Sequence, residues 1–326
     1  MENYVIGIDL GGTKIAAALA TISGQVLASV RRPTNVKSGP EGILATLVDM
    51  TNELLTAHIL KREQLAATGI GVPCLLEKGS TICRFSPNLF WRDVDIGRFW
   101  RKHFSCPLVV DNDVRLGALA EHTWGAGQGT SNLLYVAVGT GVGSGLILDG
   151  KIYRGSRGLA GEIGHMTLVP DGPVCNCGNR GCLEVYTAGP AIARRTREAM
   201  AVAKESILWQ LCQGNDDNIT AELVSRAADR EDGLALRIFK ETGHYLGVGL
   251  ASVATLLNPE RIIVGGGVAQ AGKKLFRPLQ QTLAERTITV PGIDYLIVPA
   301  ALGNQTGVLG AVAAALTILG ERECRL

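Results

Sequence analysis

The sequence has few aromatic residues and no long run of one charge. Aromatic side chains make up 5% of the 326 residues, and 32 lysines and arginines nearly balance 30 acidic residues. The 46% share of hydrophobic residues therefore predicts aliphatic cores, in a chain long enough for two domains. The formal charge of +2 and the lack of a basic run argue against nucleic acid as the main partner.

Long apolar runs are also missing. Residues 1–4 lead into an apolar run without a basic segment before it, which argues against a signal peptide. The stretch 308–319 is Ala-rich and too short to span a bilayer. We therefore expect a cytoplasmic protein without a membrane partner.

The eight cysteines are too sparse in a chain of 326 residues to form a disulfide framework. Five of them are scattered, mostly among apolar neighbours, and are interpreted as buried or idle thiols: Cys74, Cys83, Cys106, Cys212 and Cys324.

The other three cysteines lie in the stretch on which we expect the chain to be organised. Cys175, Cys177 and Cys182 follow His165, and thiolates with an imidazole are the ligands that tetrahedral zinc prefers. Four protein ligands leave no open position, so the predicted zinc is structural. The alternative is three reduced thiols beside a core histidine.

Two acids, Glu162 and Glu184, bracket this cluster within the stretch 158–184. Carboxylates in a Gly-rich loop are suited to binding the hydroxyls of a polar substrate. We therefore interpret the stretch as a zinc-pinned substrate loop.

Glycine is in excess, with 41 residues in a chain of 326, against a usual share of roughly 7%. The first Gly-containing turn that follows an apolar strand comprises Asp9, Gly11, Gly12, Thr13 and Lys14. Its backbone N–H groups, hydroxyl and positive charge are suited to phosphate. It is neither a Walker loop nor a complete dinucleotide motif, and an ordinary hairpin turn is the alternative.

Two further glycine runs extend this pattern. The second turn contains Gly139, Thr140 and Gly141, and with the first it is expected to hold the phosphates of one nucleotide. The third run would let a base or ribose lie against the backbone, with a packing turn as the alternative. It consists of Gly265, Gly266 and Gly267.

A strand, a Gly-Thr-containing turn and a hairpin occur twice, about 130 residues apart, which predicts a duplicated α/β domain. The boundary is expected near 124–131, where WGAGQGTS breaks the apolar pattern.

Three polar residues, Asp111, Asn112 and Asp113, end an apolar strand at the start of a helix. Ordinary N-capping is the alternative interpretation, but one cap needs only one such residue. A carboxylate at this position suits a general base that takes a proton from a substrate hydroxyl. Phosphoryl transfer would otherwise need only phosphate cradles and Mg²⁺.

Together these motifs resemble the ROK family of bacterial sugar kinases, within the hexokinase–actin–Hsp70 superfamily. The matching segments cover essentially the whole chain and are residues 6–19, 110–121, 136–155, 158–184, 257–267 and 301–312.

The resemblance implies an α/β fold with two ribonuclease-H-like domains of the actin and hexokinase type, a sugar cleft between them and a zinc-bound loop. The expected domains are 1–124 and 125–306, with a helix at about 307–326 that packs back on the first.

The resemblance also implies an ATP-dependent hexose kinase, with glucose to glucose 6-phosphate as the first candidate reaction and Asp113 as the base. The implied cofactors are ATP, Mg²⁺ and structural Zn²⁺, and the implied assembly is a homodimer or homotetramer. The implied sugar-binding residues are Asn88, Asn112, Asp113, Glu162, His165 and Glu184. The implied zinc ligands are His165, Cys175, Cys177 and Cys182.

Other readings stay open. One is a kinase for N-acetylmannosamine, fructose, mannose or allose. Another is a sugar-sensing regulator without catalysis, against which the intact Asp113 and phosphate turns argue. The first strand is expected to start at Tyr4, which leaves no room for the N-terminal DNA-binding domain of the family's repressors. Arg115 and the pair Phe90-Trp91 depart from the usual family segments and are candidates for affecting sugar specificity.

Overall fold

Two five-stranded mixed sheets of the same pattern organise the chain. The structure is a computed structural model that describes residues 3–288 and 295–323. Cys324 and the rest of the predicted helix end at 324–326 lie outside the described residues. No helix in the described part of the chain is long and apolar enough to cross a membrane.

The strands of the described residues are β1 (Tyr4–Leu10), β2 (Lys14–Thr21), β3 (Val26–Pro33), β4 (Leu65–Val72), β5 (Leu75–Leu76), β6 (Ile82–Ser86), β7 (Trp91–Asp95), β8 (Leu108–Asn112), β9 (Leu133–Val138), β10 (Val142–Leu148), β11 (Lys151–Tyr153), β12 (Arg261–Gly265) and β13 (Leu296–Pro299). The α-helices are α1 (Gly39–Ala57), α2 (Ile96–Trp100), α3 (Asp113–Trp124), α4 (Glu184–Thr187), α5 (Gly189–Met200), α6 (Leu208–Leu211), α7 (Ala221–Ala228), α8 (Gly233–Leu257), α9 (Lys273–Arg286) and α10 (Thr306–Glu323).

The strand orders show the predicted repeat. One sheet runs β3-β2-β1-β4-β8 and the other β11-β10-β9-β12-β13. In the first, β1 pairs antiparallel with β2 and parallel with β4, and β4 pairs parallel with β8. In the second, β12 pairs parallel with both β9 and β13. A small third sheet, β5-β6-β7, was not predicted from the sequence.

Strand β1 is buried on both faces because helices cover both sides of its sheet. Ile6, Ile8 and Leu10 join a core that contains the apolar face of α1. Val5, on the opposite face, packs with Val312 of α10. The alternation of side chains along a strand thus divides one apolar run between two cores.

The close approach of α10 to the first sheet depends on two glycines. A Cβ added at Gly7 would collide with Val312, and one added at Gly69 would collide with the backbone of Ala311. Any larger residue at either position would push the helix off the sheet, so these glycines set the spacing between α10 and the strands β1 and β4.

The chain divides by its internal contacts into two compact units. The first consists of residues 1–131, 145–160 and 301–326, and the second of residues 132–144 and 161–300. The first segment of the first unit ends at residue 131. The segment 145–160 belongs to it as well, because Gly145 packs closely against Ala118 and Arg115 of α3.

Candidate active site and metal centre

The end of β8 brings the three predicted polar residues to the start of α3. Asn112 does cap the helix: its Oδ1 accepts hydrogen bonds from the backbone N–H groups of Val114 at 3.0 Å and Arg115 at 3.2 Å. The cap uses only its oxygen, so its Nδ2 amide can still donate to a hydroxyl. Asp113, half-buried, accepts the N–H of Val114 at 3.0 Å.

The first glycine turn lies beside Asn88. The Gly11 N–H donates to the Lys14 carbonyl at 2.9 Å, which closes the turn between β1 and β2. A Cβ at Gly12 would lie 3.2 Å from the Cβ of Asn88. The structure therefore brings one predicted phosphate turn together with one predicted sugar residue, and the absence of a side chain at Gly12 makes that approach possible.

Asp9, at the end of β1, faces the start of α10 at Gly307. Burial raises the pKa of Asp9, and the charges of Lys14 and Arg31 oppose that rise. A desolvated carboxylate beside a phosphate turn is a group that a bound cation would stabilise.

The second and third glycine runs meet in the second unit. Gly266 has φ +87°, and a Cβ there would collide with the backbone of Val138, one residue before Gly139. The Gly189 N–H at the start of α5 donates to the Gly139 carbonyl at 2.7 Å. Glycine at 266 is therefore required both by its left-handed conformation and by the contact.

These runs border a cavity of about 950 Å³. Gly139, Thr140 and Gly267 line one side of it. Helices α5, α7 and α8, with the N-cap residue Thr220 of α7, supply most of the remaining lining: Ala193, Arg197, Thr220, Ser225, Arg226 and Phe239. An apolar cavity with a few polar groups is the usual form of a small-molecule site.

Arg197 stands out in this lining. Its Nε is buried and has no hydrogen-bond partner among the described residues. A buried guanidinium nitrogen without a partner is costly, and a ligand with acceptor atoms would satisfy it. The sequence around Arg197 contains no motif that would identify it as a binding residue. Its role depends on the cavity, whose other walls come from distant segments of the chain.

The four predicted zinc ligands do converge. The ligand atoms of His165, Cys175, Cys177 and Cys182 all lie within 4.8 Å of one another. The Cys175 Sγ lies 3.7 Å from the His165 Nδ1, and the Cys177 Sγ lies 3.7 Å from the Cys182 Sγ.

These separations fit a tetrahedral zinc site. Bonds of about 2.3 Å to sulfur and about 2.0–2.1 Å to nitrogen give tetrahedral edges of about 3.8 Å between sulfurs and about 3.6 Å between sulfur and nitrogen. The two 3.7 Å distances match those edges. Because Nδ1 of His165 faces the cluster, Nε2 is the nitrogen that can bind another group.

The thiols of the cluster differ in environment. Burial raises the pKa of Cys182 to about 12 and also raises that of Cys175. The backbone N–H of Asn179 lowers the pKa of the exposed Cys177. Metal binding would have to displace protons from the two buried thiols, so this donor set favours a cation that binds thiolate tightly.

Backbone hydrogen bonds shape the stretch 158–184, which we call the metal loop. The Cys175 N–H donates to the Asn179 carbonyl at 2.7 Å, and the Leu168 N–H donates to the Gly181 carbonyl at 2.8 Å. Gly181 has φ +64°, and a Cβ there would collide with the Val169 carbonyl. Glycine at this position thus permits the tight turn that brings the cysteines together.

Glu184 connects the metal loop with the second glycine turn. Its Oε2 accepts the Val142 N–H at 2.9 Å, and its Oε1 lies 4.0 Å from the Cys175 Sγ. Glu162 lies immediately before a 3-10 helix, Ile163–His165, and its side chain does not cap it.

The predicted sugar residues fall into two groups. Asn88, Asn112 and Asp113 belong to the first unit, and Glu162, His165 and Glu184 belong to the second.

The departures from the family pattern have different environments. Arg115 is only 2% exposed, and its guanidinium binds Asp111 and the Gly158 carbonyl, so it is not available to a sugar. Trp91 is 1% exposed and belongs to the core. Phe90 is 83% exposed and has φ +57°, a conformation uncommon for a bulky residue. Of the three, only Phe90 presents its side chain to solvent.

The chain is similar to known proteins over most of its length. The model of the ROK family matches residues 5–318. A glucokinase of Halalkalibacterium halodurans is 36% identical over 95% of this chain and 94% of its own. A xylose repressor of Bacillus subtilis is 30% identical over 94% of this chain and 75% of its own.

A solved structure is similar over nearly the whole chain. The ROK family glucokinase from Streptomyces griseus, crystallised in complex with glucose and AMPPNP, is 32% identical. It matches with a TM-score of 0.83, covering 97% of this chain and 100% of that one.

Proposed function

The chain belongs to the ROK family, and we propose that it is an ATP-dependent glucokinase that converts glucose to glucose 6-phosphate. The observation that carries the proposal is the likeness to glucokinases along nearly the whole chain.

Asp113 is the proposed general base. It stands at the first position of α3, directly after the strand that ends in Asn112. A carboxylate there would accept the proton of the 6-hydroxyl as that oxygen attacks the γ-phosphorus of ATP in line. The Nδ2 of Asn112 and the side chain of Asn88 would hold neighbouring hydroxyls.

The remaining sugar contacts are proposed to come from Glu162, His165 and Glu184. Like Asn88, Asn112 and Asp113, they are the residues that the resemblance to the family implies for the sugar, and the family model matches residues 5–318. His165 would bind zinc through Nδ1 and a sugar hydroxyl through Nε2.

The zinc is proposed to be structural. Four protein ligands would complete its tetrahedron, so no position would remain for a reacting oxygen. The bound metal would fix the turns between Cys175 and Cys182 and, through Glu184, the neighbouring glycine turn.

The nucleotide is proposed to occupy the cavity beside Gly139, Thr140 and Gly267. Two turns, Gly11–Gly12 of the first unit and Gly139–Gly141 of the second, are each proposed to bind phosphate, because their backbone N–H groups suit anions. Mg²⁺, when bound with the nucleotide, would neutralise phosphate charge. The carboxylate of Asp9 is proposed to hold this ion, because carboxylate oxygens are ligands that Mg²⁺ prefers.

An ADP-release assay over a panel of sugars tests the activity. Glucose is expected to give a higher kcat/KM than N-acetylmannosamine, fructose, mannose or allose. Turnover of another sugar without turnover of glucose would overturn the choice of substrate while leaving a sugar kinase.

The match to a xylose repressor favours one second candidate, a sugar-sensing regulator without catalysis. That function predicts sugar binding by calorimetry and no sugar-dependent release of ADP with any member of the panel. Release of ADP at enzymatic rates would exclude it.

A further inference from the structure

A buried ion cluster lies directly behind the proposed catalytic residues. We call Asp111, Arg115 and Arg154 the Asp111 cluster. The Asp111 Oδ1 accepts from the Arg115 Nη1 at 2.8 Å, and its Oδ2 accepts from the Arg154 Nε at 2.7 Å. The side chains of Asp111 and Arg115 are 3% and 2% exposed, and that of Arg154 is 30% exposed.

The cluster is bonded to the backbone of the proposed active site. The Asp111 Oδ1 also accepts the backbone N–H of Asn112 at 2.8 Å. Asn112 in turn caps the helix that begins with Asp113. The carboxylate of Asp111 therefore fixes the peptide from which both proposed sugar-binding side chains extend.

The cluster also holds a second segment of the chain. The Arg115 Nη2 donates to the Gly158 carbonyl at 2.7 Å. Gly158 has φ +79° and lies tightly against the backbone of residues 76–78, so it has little freedom to move. It precedes Glu162, a proposed sugar ligand, by four residues. One guanidinium thus connects the β8 end with the start of the metal loop.

We propose that Asp111 and Arg115 are positioning residues for sugar phosphorylation, which hold Asn112 and Asp113 at the angle that the reaction needs. The inference rests on the proposed function, because it concerns the same sugar site. Neither residue touches the sugar in this account. Both act through Asn112 and through Gly158.

A purely structural role explains the cluster less well. Two guanidinium groups share a carboxylate that is itself almost closed to water, and apolar side chains would often serve stability equally well there. What apolar side chains lack is directional bonds to the Asn112 N–H and the Gly158 carbonyl. Displacements of about 1 Å at a reacting group can cost on the order of 100-fold in rate.

The test compares Asp111→Asn, Arg115→Met, Arg115→Lys and Arg154→Met in the full-length protein. The steady-state kcat and the KM of ATP come from ADP release, the glucose Kd from calorimetry without ATP, and the folded fraction from thermal unfolding. Arg84→Met is the matched control. Arg84 also binds two carboxylates, but its side chain is 47% exposed.

We expect Asp111→Asn and Arg115→Met to lower kcat per folded enzyme by at least about 10-fold, with the KM of ATP within about 2-fold of wild type. Arg115→Lys should recover part of the loss, because an ammonium can reach Asp111 or Gly158 but cannot form the same fork. Arg154→Met should have a smaller effect in the same direction, and Arg84→Met should have none.

The double variant Asp111→Leu/Arg115→Leu separates geometry from stability. Because it removes both charges of the buried pair together, it should lose less thermal stability than either single variant and still have a low kcat. A folded double variant with wild-type kcat and glucose Kd would overturn the inference. If the variants at 111 and 115 do not fold, a wild-type kcat in Arg154→Met would overturn it as well. A wild-type protein that phosphorylates no sugar would instead contradict the proposed function.

Discussion

The carboxylate of Glu184 accepts a hydrogen bond from the backbone N–H of Val142 at 2.9 Å, and its other oxygen lies 4.0 Å from the Cys175 Sγ. One side chain therefore connects the cysteine cluster with a turn proposed to bind phosphate. If zinc sets the position of this loop, loss of the zinc should also weaken ligand binding outside the metal site.

Cys177→Ala should abolish tight zinc binding and weaken glucose binding by about 10–100-fold, the range found when groups that support a metal site are removed. Zinc content by elemental analysis and glucose affinity by calorimetry measure the two effects. Cys106→Ala, a thiol outside the cluster, is the control and should change neither. Zinc loss with unaltered glucose affinity and stability would show that the metal and the sugar site are not coupled.

Asp113→Asn should lower kcat by about 10²–10⁴-fold, because the amide cannot accept the proton of the hydroxyl. The glucose Kd should stay within about 3-fold, since the amide keeps the size and the hydrogen-bonding oxygen of the carboxylate. Asp49→Asn makes the same change on the exposed face of α1 and should be neutral. Wild-type kcat in Asp113→Asn would refute the assignment of the base.

Asp9→Asn should make stability less dependent on pH. Because burial raises the pKa of Asp9, folding favours its protonated form. The carboxyl's contribution to the free energy of unfolding is fully present at pH values below its pKa in the unfolded chain. That contribution is lost as the pH rises through the carboxyl's pKa in the folded protein. The variant should therefore gain thermal stability over wild type at pH 7, and the gain should disappear near pH 4.

Thermal unfolding of both proteins between pH 4 and pH 8 measures this difference, with Asp49→Asn again as the control. A difference that stays constant with pH would contradict the account of burial. We expect the same variant to lose kinase activity, because the proposed cation contact is removed.

Arg197→Met should raise the KM of ATP by roughly 10-fold. Loss of one polar contact to a ligand costs about 1.4 kcal/mol of binding free energy, which corresponds to that factor. The reason is the buried Nε, which has no partner among the described residues and lies in the wall of the cavity. Glucose affinity should not change. Arg230→Met removes an exposed arginine that is not part of the cavity lining and should leave the KM of ATP unaltered.

Glu121→Gln should destabilise the first unit by about 2–4 kcal/mol, because a charged acceptor of several backbone N–H groups is replaced by an amide. Glu121 is fully buried and accepts from Ala126 at 2.8 Å, Ala301 at 3.1 Å and Leu302 at 3.0 Å. Chemical denaturation measures the change. Glu53→Gln, in an exposed pair with Arg32, should cost less than about 1 kcal/mol.

Local patterns in the sequence were enough to predict the repeat, the glycine turns and the cysteine cluster. Each depends on residues close together in the chain, as in the turns between Cys175 and Cys182 and the cap that Asn112 forms. Conformational requirements at such positions leave a direct trace in residue type, as at Gly181 and Gly266, which both have positive φ.

Contacts between distant segments could not be predicted in this way. Arg154 reaches Asp111 across 43 residues of sequence, and nothing near either residue indicates the other. The cavity beside Arg197 is assembled from several helices and turns, and the sheet β5-β6-β7 has strands of only two to five residues. Such features arise from packing and leave little periodicity to detect.

Gly7 and Gly69 let α10 cover one face of a sheet whose first strand begins at Tyr4. During synthesis on the ribosome, this face of the sheet emerges long before α10, the helix that covers it. At synthesis rates of about 5–20 residues per second, the wait between β8 and α10 is on the order of 10 s or more. The nascent chain therefore carries an uncovered apolar sheet face around Val5 during most of its synthesis.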